Sequence, residues 1–247
     1  MSSTRLLKRW ISRAFLRPSH HYIACRKEEL LVGTPWGKVQ LWREYSHPGD
    51  ARPARVYFLR FLGSRGRAEP ATLDPADRLD GVPGEVWTVN PPAFGGTTGP
   101  AELDRYADCA LAALDYLVDR APGVPVWLCG KSIGTAAALL AAAHGGAAGV
   151  ILRNVMPLRE LLSRHYGWRT GGLSRLLLAP AVPERLDCLA NADSHDACPL
   201  RHVAGRSRFA AAIPAASNRR LSRTRHGTGS RGRARRPASA VRRRSSL

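Results

Sequence analysis

Val126-Trp127-Leu128-Cys129-Gly130-Lys131-Ser132-Ile133-Gly134-Thr135-Ala136-Ala137-Ala138-Leu139-Leu140 is the stretch on which the fold turns. The first four residues form a short apolar run of the kind that makes a buried strand, and the last six are strong helix formers, so an extended segment passes into a helix across Gly130 to Gly134. A serine lifted out of such a corner needs small neighbours two positions before and two after, because the turn is tight and its backbone nearly touches the helix. Gly130 and Gly134 occupy those places. The helix start then aims its free amides and the positive end of its dipole at whatever Ser132 attacks, which makes the Ile133 amide a natural oxyanion donor. Gly130-Lys131-Ser132 also matches the end of a phosphate-binding loop. That motif needs a glycine five positions earlier, where Pro125 stands.

Outward from this corner the chain alternates short apolar runs with longer amphipathic ones. Leu30 to Val32 and Lys38 to Trp42 flank Gly33-Thr34-Pro35-Trp36-Gly37 and predict a hairpin. Arg55 to Leu62 and Gly84 to Asn90 predict buried strands, and Val124 to Cys129 and Gly149 to Asn154 two more. Between them, Leu103, Tyr106, Ala107, Ala110, Leu111, Leu114 and Leu117 share one stripe of a helix over Ala101 to Arg120, closed by Pro122. A second helix runs from Ile133 to His144. This alternation predicts right-handed crossovers and an α/β fold with a mainly parallel sheet and flanking helices. After Asn154, Leu158 to Tyr166 and Leu173 to Leu177 suggest two short helices, with no further strand. The sheet is therefore expected to be incomplete at the C-terminus.

Three motifs in order carry a family likeness: Leu62-Gly63-Ser64, then Asn90 to Glu102 with its Phe94-Gly95-Gly96-Thr97-Thr98-Gly99 core, then Gly130-Lys131-Ser132-Ile133-Gly134. With them the chain resembles the serine α/β-hydrolases, especially the branch of membrane-associated acyl-protein thioesterases and small esterases, over residues 30 to 191. The resemblance implies an α/β-hydrolase-like sheet and hydrolysis of a carboxylic ester or thioester by acyl transfer. Ser132 would be the nucleophile, and the Ile133 and Ser64 amides the oxyanion hole. Leu62 stands where that branch has His, and Phe94 where it has Tyr. No metal or cofactor is implied.

A serine hydroxyl needs a histidine base, and the histidine an orienting carboxylate. In the family's order both follow the serine. The downstream carboxylates are Glu160, Glu184, Asp187, Asp193 and Asp196, and the histidines His144, His165, His195, His202 and His226. None of these histidines follows a recognisable strand, so acid and base stay unassigned and an inactive hydrolase-like protein is an open outcome.

Charge divides the chain unevenly. The full sequence of 247 residues carries +19; residues 191–247 hold fourteen Arg and two acids, and residues 1–20 five basic groups, which leaves the body near neutral. The expected organisation is a basic amphipathic segment (1–20), a hydrolase-like domain (21–190) and an Arg-rich disordered tail (191–247), whose composition cannot bury enough surface to offset chain entropy. Leu6, Leu7, Trp10, Ile11, Ala14 and Phe15 recur at helical spacing among Arg5, Lys8, Arg9, Arg13 and Arg17. Residues 5–17 could lie on an anionic membrane or pack on the domain. A non-catalytic membrane-peripheral or nucleic-acid-binding protein using both termini is the competing reading. Nucleic acid is not the expected partner, because the neutral body offers neither a basic face nor an aromatic platform.

No apolar run is long enough to span a bilayer and no compact apolar leader follows Met1, which makes the cytoplasm the expected compartment, with membrane association open. Cys25, Cys109, Cys129, Cys188 and Cys198 are odd in number and form no Cys-x-x-Cys pair, against both a disulfide framework and a zinc cluster. The abrupt change to Arg, Ala, Ser, Gly and Pro without Lys after residue 191 is what a GC-rich coding region yields in a shifted frame. Codons for Asp193 to Pro214 can be chosen so that the next frame encodes a strand and acid loop like the family's. A frameshifted or truncated hydrolase is the resulting expectation.

Overall fold

In the computed structural model the described residues are 3–19, 21, 23–49, 52–167, 181–193 and 200–202. Seven strands form one sheet: β1 (Glu28–Thr34), β2 (Gly37–Tyr45), β3 (Val56–Phe61), β4 (Gly84–Val89), β5 (Val126–Lys131), β6 (Gly149–Arg153) and β7 (Leu200–His202). Their order is β1-β2-β4-β3-β5-β6-β7. The hairpin β1–β2 and the pair β2–β4 are antiparallel, and every pair from β4 to β7 is parallel. β3 and β4 are buried along their whole length, as strands covered on both faces should be, and carry the buried polar residues Arg60, Glu85 and Thr88 among their apolar ones.

The helices are α1 (Ser3–Phe15), α2 (Leu103–Arg120), α3 (Gly134–His144), α4 (Leu158–Gly167) and α5 (Cys188–Asp193), with 3-10 turns at Ala76–Arg78 and Glu184–Leu186. α3 has apolar residues all round and is buried from Gly134 to Ala142, the pattern of a helix enclosed by other elements. α2 buries the stripe the sequence predicts, from Leu103 through Tyr106 and Leu114 to Leu117. α1 does not stand apart: Ile11 and Leu16 enter the common core.

Two expectations are revised. The sheet does not end at β6, because Leu200 to His202 pair in parallel with Val150 to Leu152. Three residues carry no readable periodicity, and only the long-range partner makes them a strand. α5 likewise falls in a stretch with no predicted helix. The helix expected over Leu173 to Leu177 lies outside the described residues, as does the tail apart from Asn191 to Asp193 and β7.

Candidate active site

The corner at residues 130–134 is built by steric exclusion. A side chain carbon at Gly134 would lie 2.3 Å from the Phe61 carbonyl oxygen, and one at Gly130 would lie 2.7 Å from the Gly134 carbonyl oxygen and from Thr135 Cα. No substitution is accommodated at either place without moving backbone. Ser132, between them, has φ +54°, a left-handed conformation that an L-residue other than glycine adopts at a cost. Its N–H donates to the Arg153 carbonyl at 3.0 Å, and its carbonyl accepts from the Thr135 N–H at 2.9 Å and the Thr135 hydroxyl at 2.6 Å. The serine is half-buried, whereas Ile133 is fully buried. Ile133 has φ −55° and leads into α3, so its amide stands at the helix start.

Opposite the serine lies the loop after β3. A carbon added at Gly63 would meet Ser132 Cβ at 3.4 Å, so Gly63 backs directly onto Ser132. The Gly66 N–H closes a turn on the Gly63 carbonyl at 2.8 Å, and Ser64 sits inside that turn. The Ser64 carbonyl accepts from the Arg17 N–H at 3.0 Å, and the Tyr106 hydroxyl donates to the Leu62 carbonyl at 3.4 Å.

A buried polar network holds this loop from the other side. Asn90, fully buried at the end of β4, accepts from the Ala68 N–H at 2.8 Å and donates to Gln40 Oε1 at 2.6 Å and to Glu69 at 3.3 Å. Gln40 also accepts from the Gly96 N–H at 2.8 Å, tying in the glycine-rich loop. Burial alone would raise the Glu69 carboxyl, but hydrogen bonds from Arg67 and Asn90 hold it below its ordinary range. Asn90, Gln40, Glu69 and Arg67 were not singled out in the sequence as positioning residues. Asn90 directly follows an apolar strand, whereas Gln40 lies inside β2 and Arg67 and Glu69 lie in the loop after β3, where no local pattern marks them.

The Ser132 hydroxyl points at the Met156 sulfur at 3.9 Å. Thr135 arranges this approach, since its hydroxyl also accepts from the Met156 N–H at 3.1 Å. Among the residues whose side chains are described, no histidine or carboxylate hydrogen-bonds Ser132. His144 lies at the far end of α3 and pairs with Asp115 at 3.2 Å on the surface. Asp187 caps α5 through the Leu189 N–H at 3.0 Å and pairs with Arg159 at 3.4 Å. Glu160 lies on α4 and Glu184 on the 3-10 turn before α5. Asp193 ends α5, and Asp196, His195 and His226 lie outside the described residues. His165 belongs to α4. His202, read from the sequence as a tail residue, ends β7, where the register sets its backbone level with Leu152 and, one strand further, Gly130.

Next to the corner a cavity of about 250 Å³ is walled by Arg60, Leu62, Asp74, Cys129, Gly130, Lys131 and Arg153. Its wall ends at Lys131 and does not include Ser132. Arg60 is held by the Asp74 carbonyl at 2.7 Å and by Thr88 at 3.2 Å, and burial lowers its affinity for a proton. Arg153 pairs with Asp74, which also binds Arg78 at 2.8 Å. Cys129 is no rival nucleophile: burial pushes its thiol up to about 12, and a thiol is reactive as the thiolate.

A strained serine thus stands between two sterically obligatory glycines, at the junction of a central parallel strand and a buried helix. Solved structures share this fold over most of the chain. The chain has the α/β-hydrolase fold. It is similar to an α/β-hydrolase from Vibrio vulnificus (18% identity, 82% of this chain and 76% of that one, TM-score 0.60). It is also similar to an esterase from Pyrococcus furiosus (13% identity, 76% of each chain, TM-score 0.51). A likeness to an α/β serine hydrolase without a lid from Xanthomonas campestris has 20% identity and a TM-score of 0.41, over 54% of this chain. The chain spans 63% of the length of that Xanthomonas protein. No protein-family model and no curated protein matches the sequence. No helix among the described residues of this α/β-hydrolase fold is long and apolar enough to cross a membrane, and none of their side chains cluster as a metal site.

Proposed function

We propose that the chain is a serine hydrolase of carboxylic esters or thioesters, with Ser132 as nucleophile and the Ile133 and Ser64 amides as oxyanion donors. The observation that carries this reading is the left-handed Ser132 at φ +54°, raised at the end of β5 between two glycines that admit no side chain. In the reaction Ser132 Oγ bonds to the acyl carbon and its proton passes to a base, while the carbonyl oxygen takes the negative charge toward the amides. The tetrahedral intermediate collapses with loss of the alcohol or thiol, which leaves protonated. Water then hydrolyses the acyl-serine by the same route. Amides fixed by the fold need no reorganisation as the charge develops, which is where such sites gain most of their rate.

A second reading, a hydrolase fold without catalysis, is favoured by one observation: the described partner of the Ser132 hydroxyl is a thioether, which cannot take a proton at neutral pH. A fluorophosphonate probe separates the two. Rapid labelling of the full chain, abolished in Ser132→Ala, is the outcome expected of the hydrolase, and His→Ala replacements at 165, 195, 202 and 226 then identify the base. Folded protein that takes up no probe overturns the catalytic reading.

A further inference from the structure

We propose that the outward face of α1 docks on the surface of an anionic phospholipid bilayer, an inference independent of the catalytic reading. The inward face of the helix is fixed to the domain. Ile11, Ser12 and Leu16 are buried, the Ser12 hydroxyl accepts from the Leu103 N–H at 3.1 Å, and the next turn of chain is tied to Ser64 through the Arg17 N–H.

The outward face carries two parallel ridges, each with a residue every four positions, the spacing that aligns side chains along one helix face. Arg5, Arg9 and Arg13 form one, continued by Arg17 two residues past the helix end, and Leu6, Trp10 and Ala14 the other, all of them exposed. None of the four arginines has a carboxylate partner among the described residues. Leu6 and Trp10 are 56% and 54% exposed, so helix packing leaves two large apolar side chains in water beside four unpaired cations.

That combination matches one environment, the boundary between headgroups and acyl chains of an anionic leaflet. There Trp10 and Leu6 leave water while the arginines meet lipid phosphates. Between the arginine ridge and the segment before α2 lies a cavity of about 370 Å³, lined by Arg9, Arg13 and Arg17 with Pro100, Ala101 and Glu102. Glu102 is the one acidic residue of this lining and three arginines outnumber it, so the cavity suits an anionic headgroup. A nucleic-acid backbone would satisfy the arginines but leave the Leu6 and Ala14 ridge in water, and is the less complete match.

The test is sedimentation of the full chain with vesicles of phosphatidylcholine alone or mixed with phosphatidylglycerol at one fixed physiological salt concentration, so that the fourteen C-terminal arginines, present in every variant, contribute equally throughout. Two variants are compared with the wild type, Leu6→Ala with Trp10→Ala, and Arg9→Gln with Arg13→Gln. All four positions are exposed, so the fold is kept, which equal thermal midpoints verify. The wild type is expected to bind only the mixed vesicles, and each double variant to bind roughly tenfold less tightly, given about 1.4 kcal/mol or more lost with either pair. Absence of wild-type binding, or equal binding by wild type and both variants, overturns the proposal. So does weakened polyuridylate binding in the arginine variant when the Leu6 and Trp10 variant still binds vesicles like the wild type.

Discussion

Ser132 is held against its own conformational preference, and the neighbours that hold it are identifiable one by one. Its left-handed backbone is secured by hydrogen bonds at 2.6–3.0 Å to Arg153 and Thr135. Because glycine has no carbon to strain there, Ser132→Gly is expected to leave stability unchanged or raise it by up to about 1 kcal/mol in denaturant titrations, while all probe labelling is lost. Gly134→Ala has the opposite sign. Its added carbon meets main chain at 2.3 Å, and a loss of about 3 kcal/mol or failure to fold is expected. At this scale the sequence was informative for a steric reason: a side chain either fits a corner or does not, and Gly-x-Ser-x-Gly states the answer locally. Thr135 and Met156 were silent because what they do depends on a contact 21 residues apart.

Elements show the same division between local and distant information. The hairpin, the four central strands and the helices α2 and α3 were legible to within two residues, apart from the end of β2, which runs three residues beyond Trp42, since period and burial are written into their own residues. β7 was not, for its pairing with β6 is its sole signal. The capping of α2 was equally hidden. Glu102 precedes the helix without capping it through its side chain, and the free Leu103 amide is taken by Ser12 from α1. Ser12→Ala is therefore expected to cost about 1 kcal/mol, the usual worth of an N-cap, and to raise amide exchange in α1 as well as at the start of α2. Loss confined to α2, with α1 unchanged, would show that the two helices are not coupled through this bond.

Across the whole molecule the thiols make stability depend on alkaline pH. Burial pushes Cys109 and Cys129 from the ordinary 9.0 up to about 12, and Cys188 up to about 11. Tyr106 is shifted in the same direction by the same cause. A group whose folded pKa is raised stays protonated in the native state while the unfolded chain ionises, so the native state binds more protons and stability falls as pH rises. Below about pH 9 the full contribution is present. From there to about pH 11 each buried thiol is expected to remove about 1.4 kcal/mol per pH unit. Denaturant titrations across that window measure the slope, and Cys129→Ala should reduce the thiol part of it by about a third. A stability that is flat over the window contradicts the burial of these groups.

The bond between Ser12 and Leu103 joins residues 91 apart in the chain. A ribosome adding roughly 5–20 residues each second needs roughly 5 to 20 seconds to deliver the second partner after the first. During that interval the segment that becomes α1 is in the nascent chain with Ile11 and Leu16 uncovered beside its cations. The face that α1 turns to the domain and the face it turns outward are thus both on offer before the body that will later hide one of them has been made.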